Sequence, residues 1–347
     1  MISAPAAARP APEATRRNAY WRLLGVELRR FGARSAVRWL LVAMLAVVAV
    51  TALAAYRSTV PPSAEQLRQA RQLYEEQHAV WEDTGDEQLR QCLEQEAVER
   101  ERQPDQKIEF ACDQMEPQLE WFLPGRTTFA QSASSWLFQE STLLAMLAMV
   151  VGATFVAAEF ATGNMSTWLT FEPRRTRVFT SKVVVVTLLT GVAVTAVAAV
   201  AVGVSWVVSG LNDATTDATP ALWRALGGQV ARTGAAGALA AGAGAVLGFL
   251  LRHTAAAVAV AVGWFVAVEG ILASLLAALL PWTIRLTLTA WLQGGTEYSV
   301  PGVRGADGSY AWEMRELATW HGGAVLLGYA VVLTAAALLV FRRRDVA

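Results

Sequence analysis

Few residues in this chain are of the types that carry covalent or metal chemistry, and their spacing excludes most of it. Lysine occurs only at Lys107 and Lys182. Neither follows a glycine-rich loop, so the chain has no G-x-x-x-x-G-K-[ST] cradle for nucleotide phosphates. His78, His253 and His321 lie in three separate regions, with no H-E-x-x-H or paired His/Cys spacing to hold a metal. What remains is the chemistry of charge. The segment Glu159-Phe160-Ala161-Thr162-Gly163-Asn164-Met165, continuing through Pro173-Arg174-Arg175-Thr176-Arg177 to Lys182, is polar and basic. It is pinned between two apolar runs, Leu143 to Ala158 and Val183 to Val208. A charged loop so placed is suited to pass force from a cytoplasmic partner into a bilayer.

The elements that hold this loop follow from hydropathy. The chain is 54% hydrophobic and only 17% charged, with a mean hydropathy of +0.35. The apolar residues form runs of the ~20 residues that cross a hydrocarbon core. The reading is an all-α polytopic membrane protein with six transmembrane helices. Residues 1–38 are expected to be a cytoplasmic tail and an interfacial amphipathic helix, 39–56 the first span, 57–138 an extracytoplasmic helical insertion, and 139–347 spans two to six. Within the last region, 159–181 is the cytoplasmic loop and 279–319 an outer loop.

The Ala/Pro-rich first 15 or so residues read as disordered. Over Tyr20–Trp39, Leu23, Leu24, Leu28 and Phe31 recur near helical spacing among Arg22, Arg29, Arg30, Arg34 and Arg38, as in a helix lying in lipid headgroups. Ala52-Leu53-Ala54 resembles a signal-peptide cleavage site, but the long basic lead-in favours an anchor.

In the insertion, Ser63-Ala64-Glu65-Gln66 fits a capping box. Asp83-Thr84-Gly85-Asp86 reads as a turn between two weak apolar stripes, hence a helical hairpin ending near Pro104. The segment is acidic, which is the usual composition of a solvated face. It also holds the only two cysteines, Cys92 and Cys112. In an oxidising exterior these are expected to pair, stabilising the insertion by roughly 3 kcal/mol.

Span two is expected from about Ser141, span three from about Lys182 and span four over Leu222–Leu251. Span four is dense in small residues: Gly234, Ala238 and Gly242 at spacing four, then Gly244 and Gly248, which suit close helix packing in lipid. Arg252-His253 reads as a very tight turn into span five, Thr254–Ala278. Leu279–Leu292 is broken by Pro281 and too short to cross, so it reads as a re-entrant or interfacial helix. Gly294–Ala318 is read as a polar loop and Trp320–Phe341 as span six. Glu269 is read as the one ionisable residue well inside a span, serving either the translocation path or hydrogen-bonded packing. The basic residues before span one, in the loop after span two, at Arg252 and at Arg342–Arg344 all fall on one side of six alternating spans. By the positive-inside rule that side is the cytoplasm, with both termini there.

Three features together resemble the permease subunits of ABC-2 type ABC transporters in their bacterial exporter form. They are the lead-in Val26-Glu27-Leu28-Arg29-Arg30, the loop from Glu159 through Gly163 and Arg177 to Lys182, and the ending Phe341-Arg342-Arg343-Arg344-Asp345-Val346. Asn164 departs from the family, which often has Thr there, and the insertion after span one is larger than expected. The resemblance implies that two permeases pair, as homo- or heterodimer, and that each docks an ATP-binding cassette subunit. ATP and Mg would then sit on that subunit, with no cofactor and no metal on this chain. Glu27, Arg30, Glu159, Gly163, Arg174, Arg175, Arg177 and Lys182 would couple the two, with Glu159 paired to a nearby arginine. The alternative for the arginines is topology and lipid phosphate. The alternative for the protein is a non-transporting membrane sensor or assembly partner whose acidic hairpin binds an external ligand. Arginines at membrane edges do not make a nucleic-acid face.

Overall fold

The computed structural model describes residues 13–102, 108–304 and 310–344. The first 12 residues, Pro104, Asp345 and Val346 lie outside them. The chain enters through α1 (Glu13–Ala33), which is set off from α2 (Ser35–Thr59) by one extended residue, Arg34, at φ −73° and ψ 126°. The helix expected over Tyr20–Trp39 is therefore two, and Ser35–Trp39 belong to the first span. α1 buries Leu23, Glu27 and Phe31, at helical spacing four, while Leu28 faces outward.

α3 (Ala64–Arg102) starts at the expected capping box: Ser63 N donates to Gln66 Oε1 at 2.9 Å and Gln66 N to Ser63 Oγ at 3.2 Å. The expected hairpin is absent, and α3 is one helix of 39 residues. A single glycine costs a helix only about 1 kcal/mol, and local side-chain bonds hold the turn expected at 83–86 in the helix. Thr84 Oγ1 donates to Val80 O at 2.7 Å, and Gln88 Nε2 to Thr84 Oγ1 at 2.8 Å. Arg90, then Gln91, hydrogen-bond the Glu87 carboxyl and hold it below the usual carboxylate range. Gly85 makes room for an indole, since a Cβ there would fall 2.7 Å from Trp81 Cε2. Cys92 and Cys112 form the expected disulfide, with Cα atoms 5.9 Å apart. Glu96 braces it by accepting from Phe110 N at 2.9 Å and pairing with Arg100 at 2.5 Å. The short α4 (Leu119–Phe122) returns to α3 through a Phe122–Tyr74 ring contact at 6.2 Å.

The remaining helices are α5 (Phe129–Ala161), α6 (Asn164–Phe171), α7 (Arg175–Gly210), α8 (Pro220–Leu251) and α9 (Thr254–Trp264). α9 continues as a π-helical stretch, Phe265–Leu272, then α10 (Ala273–Leu275) and a 3-10 turn, Ala277–Trp282. α11 (Ile284–Gln293) and α12 (Thr319–Arg343) flank β1 (Thr296–Arg304) and β2 (Tyr310–Leu317). Among the described residues, six helices are long and apolar enough to cross a membrane: α2, α5, α7, α8, α9 with its π-helical continuation, and α12. The all-α reading stands, with a local exception. Residues read as a polar loop form an antiparallel β1–β2 hairpin that pairs Thr296 with Leu317 and Pro301 with Trp312. Val300 and Leu317 are buried and Thr296 and Tyr298 partly so, while Trp312 and Met314 stay exposed, so β1 alternates in burial and the described residues of β2 show no matching alternation.

α5 begins three turns before the expected Ser141. Thr128 and Gln131 form a capping box, at 3.4 Å and 3.1 Å, that hydropathy does not register. α8 starts at Pro220 under a Thr219 cap and ends at Arg252, whose left-handed φ of 56° makes the expected tight turn. α8 lies centrally between α5 and α7. A Cβ on Gly244 would come within 2.0 Å of Met149 O, and one on Gly152 within 1.9 Å of Ala241 O, so the two backbones touch. Gly234, Gly242 and Gly248 likewise face Thr195, Thr187 and Val156. Gly152 carries the same packing on α5 and escaped the sequence reading.

Candidate functional site

One end of the helix bundle collects a buried set of charges from four positions along the chain. α1 supplies Glu27 and Arg30, the α1–α2 break supplies Arg34, the last turns of α5 supply Glu159, and the start of α7 supplies Lys182. Glu27 and Lys182 are fully buried and Glu159 is 1% exposed. Lys182 Nζ donates to Glu27 Oε1 at 2.8 Å and sits 2.6 Å from Glu159 Oε2, a charge contact rather than an aligned hydrogen bond. Arg34 Nη2 donates to Glu159 Oε1 at 2.7 Å, and its Nη1 to Phe155 O at 2.6 Å and Thr154 O at 3.2 Å. Arg30 stands farther off, 3.8 Å from Glu159 Oε1, with its guanidinium 4.4 Å over the Trp168 ring.

Local sequence explains how these groups converge. α5 ends at Thr162, and Gly163 takes φ 70°, a left-handed conformation that glycine adopts without strain. The chain then turns into α6, which places Trp168 above Arg30 and 5.7 Å from Lys182 Nζ. The extended backbone at Arg34 points its side chain back at the α5 carbonyls. Three cations meet two carboxylates, so the cluster keeps an excess of positive charge. Removing one member of such a buried set costs about 3–5 kcal/mol, because its partner is left charged and dry.

The other loop arginines are placed differently. Arg174 is exposed at the entry to α7. Arg175 donates to Phe341 O at 3.2 Å and to Arg344 O, joining α7 to the end of α12. Arg177 pairs with Glu172 at 3.7 Å. Arg344 reaches Leu250 O at 3.3 Å. Phe160, Phe179, Phe249 and Phe341 stack at this same end, with Phe179 and Phe249 4.6 Å apart. The basic ends of α1, α7 and α12, the Arg252 cap of α8 and the Glu159 end of α5 therefore share one side of the bundle, and the α3 insertion lies at the other. There Arg126 donates to Thr59 O at 3.0 Å and Thr128 to Asp217 at 2.5 Å.

Glu269 lies in the π-helical stretch and spends both oxygens on one task. Oε1 accepts from Ile284 N at 2.7 Å and Trp264 Nε1 at 3.2 Å, and Oε2 from Arg285 N at 2.9 Å. It covers the free amides at the start of α11, where a negative charge also meets the positive end of the helix dipole. The expectation that it alone is ionisable inside a span is corrected. Glu140 lies within α5 and Arg232 within α8, and the early start of α5 is what brings Glu140 in. Arg34, Trp168 and Glu140 were missed. Arg34 had a signal, as one of the basic residues before span one; for Trp168 and Glu140 local pattern offers none.

No group of acidic, histidine or cysteine side chains among the described residues could hold a metal ion. The arrangement is a charged joint between helices. The sequence profile described as "ABC-2 family transporter protein" matches residues 29–346. No curated protein matches the chain.

Proposed function

This chain belongs to the ABC-2 transporter family, and we propose that it is the membrane-spanning permease subunit of an ATP-driven exporter. A multi-pass permease working with an ATP-binding cassette partner is the family's general arrangement. The observation that carries the finer reading is the Glu27–Lys182–Glu159–Arg34 cluster. It ties α1 to α5 and α7 at the two roots of the α6 connection, through contacts of 2.6–2.8 Å. A push on α6 would then move α1, α5 and α7 together.

In this reading the cassette subunit docks on the exposed tip of the connection, where Phe171 is 81% exposed and Arg174 stands beside it. α1 rests on the inner membrane surface, and the basic ends and both termini face the cytoplasm. ATP and Mg bind to the cassette subunit, and this chain contributes no catalytic residue and no cofactor. α2, α9 and α12 leave most of their apolar surface uncovered, with only 17%, 11% and 11% of their spans buried, which suits lipid and a second copy of the permease.

The test is co-purification of the chain with a cassette ATPase encoded beside it, followed by ATPase measurement in lipid. Glu159→Gln and a Phe171→Asp/Arg174→Glu variant should both insert in the membrane. The first should still bind the ATPase and lose stimulation several-fold, and the second should fail to bind. An ATPase that neither binds nor responds to the wild-type chain overturns the reading.

A further inference from the structure

Glu140 is a buried ionisable group that the charged joint does not use. It lies on α5, about 16 Å along the helix from Phe129 at 1.5 Å per residue, and is 1% exposed. Both of its carboxylate oxygens lack a hydrogen-bond partner among the described residues. It borders a cavity of ≈ 10 Å³ between α2, α5 and α7, about the room of one water. Two hydroxyls line that space, Thr51 from α2 and Ser205 from α7, and the Thr51 hydroxyl already donates to Val47 O at 3.1 Å. The other walls are apolar, Trp136, Leu137 and Val202 among them, and no other charged or titratable side chain from any of the three helices lines the cavity.

Elsewhere this chain compensates its buried carboxylates. Glu159 and Glu27 face Lys182, and Glu269 accepts three hydrogen bonds. Glu140 has neither form of support, and a bare carboxylate in such a place is costly. A metal cation would not cure this, because hard cations require about six oxygen ligands and the cavity offers one carboxyl and two hydroxyls. A proton requires the carboxyl alone. We propose that Glu140 is a proton-binding site, protonated while α2, α5 and α7 are closed around it and exchanging its proton with water when they part. A polar line leads outward from it along α7. Ser205 and Ser209 on α7 and Asn212 just past its end follow at spacings of four and three, and the Ser209 hydroxyl is also buried with no partner among the described residues. Asn212 then meets Thr59 Oγ1 at 2.9 Å at the end of α2. The proposal does not depend on the identity of the ATPase or the cargo.

The test uses the full chain in native membrane vesicles and N,N′-dicyclohexylcarbodiimide, a lipid-soluble reagent that adds to protonated carboxyls. The expected result is an N-acylurea adduct mapped to Glu140, and none at the saturated Glu269. Labelling should fall as the pH is raised from about 6 to about 9, by roughly tenfold per unit once ionisation dominates, and should be indifferent to added sodium. Glu140→Gln should lose the adduct and also the infrared C=O stretch of a protonated carboxyl. The wild-type mapping stands alone if that variant folds poorly. Glu140 unmodified at every pH, or protected by sodium, overturns the proposal.

Discussion

At Lys182 a full positive charge sits without water contact, held by Glu27 at 2.8 Å and Glu159 at 2.6 Å. Lys182→Met leaves two carboxylates facing each other in a dry site and should cost about 3–5 kcal/mol, read as a lower thermal midpoint in detergent. Adding Glu27→Gln should recover part of that loss, because it removes the carboxylate left without a cation, while Glu159 keeps Arg34. No recovery in the double variant would mean that the pair does not couple. Glu269 allows the opposite prediction. Gln keeps one acceptor for Ile284 N and loses the second and the charge, so Glu269→Gln should lower stability by only about 1–2 kcal/mol. A pH dependence of transport that vanishes in this variant would instead place Glu269 in a proton step. That Glu159 would find an arginine was legible, since a carboxylate among basic residues has few other options. That the arginine is Arg34, 125 positions away, was not.

At the scale of elements, α3 shows where local signals mislead. Asp83-Thr84-Gly85-Asp86 has turn composition, yet strong helix formers flank it and one glycine is a small penalty. Spin labels at Gln66 and Arg100 should lie about 50 Å apart at 1.5 Å per residue; a hairpin would bring them within about 10–15 Å, helices in contact being 8–10 Å apart. The small-residue contact between α5 and α8 makes a second prediction. Gly244→Leu puts a side chain where Met149 O already lies 2.0 Å from a Cβ, so folded yield in membranes should drop sharply, while Gly227→Ala, in open space on α8, should be silent. The β1–β2 hairpin was illegible for a different reason: the inward apolar alternation of β1 is only Tyr298 and Val300, and on β2 the alternating apolar residues, Trp312 and Met314, are exposed.

For the whole molecule, the disulfide closes the distal insertion far from the charged joint. Cys92→Ser should lower the stability of the insertion by roughly 3 kcal/mol, seen as faster proteolysis between residues 92 and 112, with membrane insertion and ATPase binding unchanged. Loss of ATPase binding in that variant would mean that the two ends communicate. The amino-acid order alone determined the six spans, the shared side of the basic ends, the cysteine pairing and the tight turn at Arg252. Each follows from run length, local charge or the absence of any other partner, which act over a few turns of chain. Only the tertiary structure decided which charges meet, that α1 and α2 break at Arg34, and that Glu140 is enclosed between three helices. Those outcomes depend on how helices distant in sequence pack, and such packing leaves no periodic trace along any one of them.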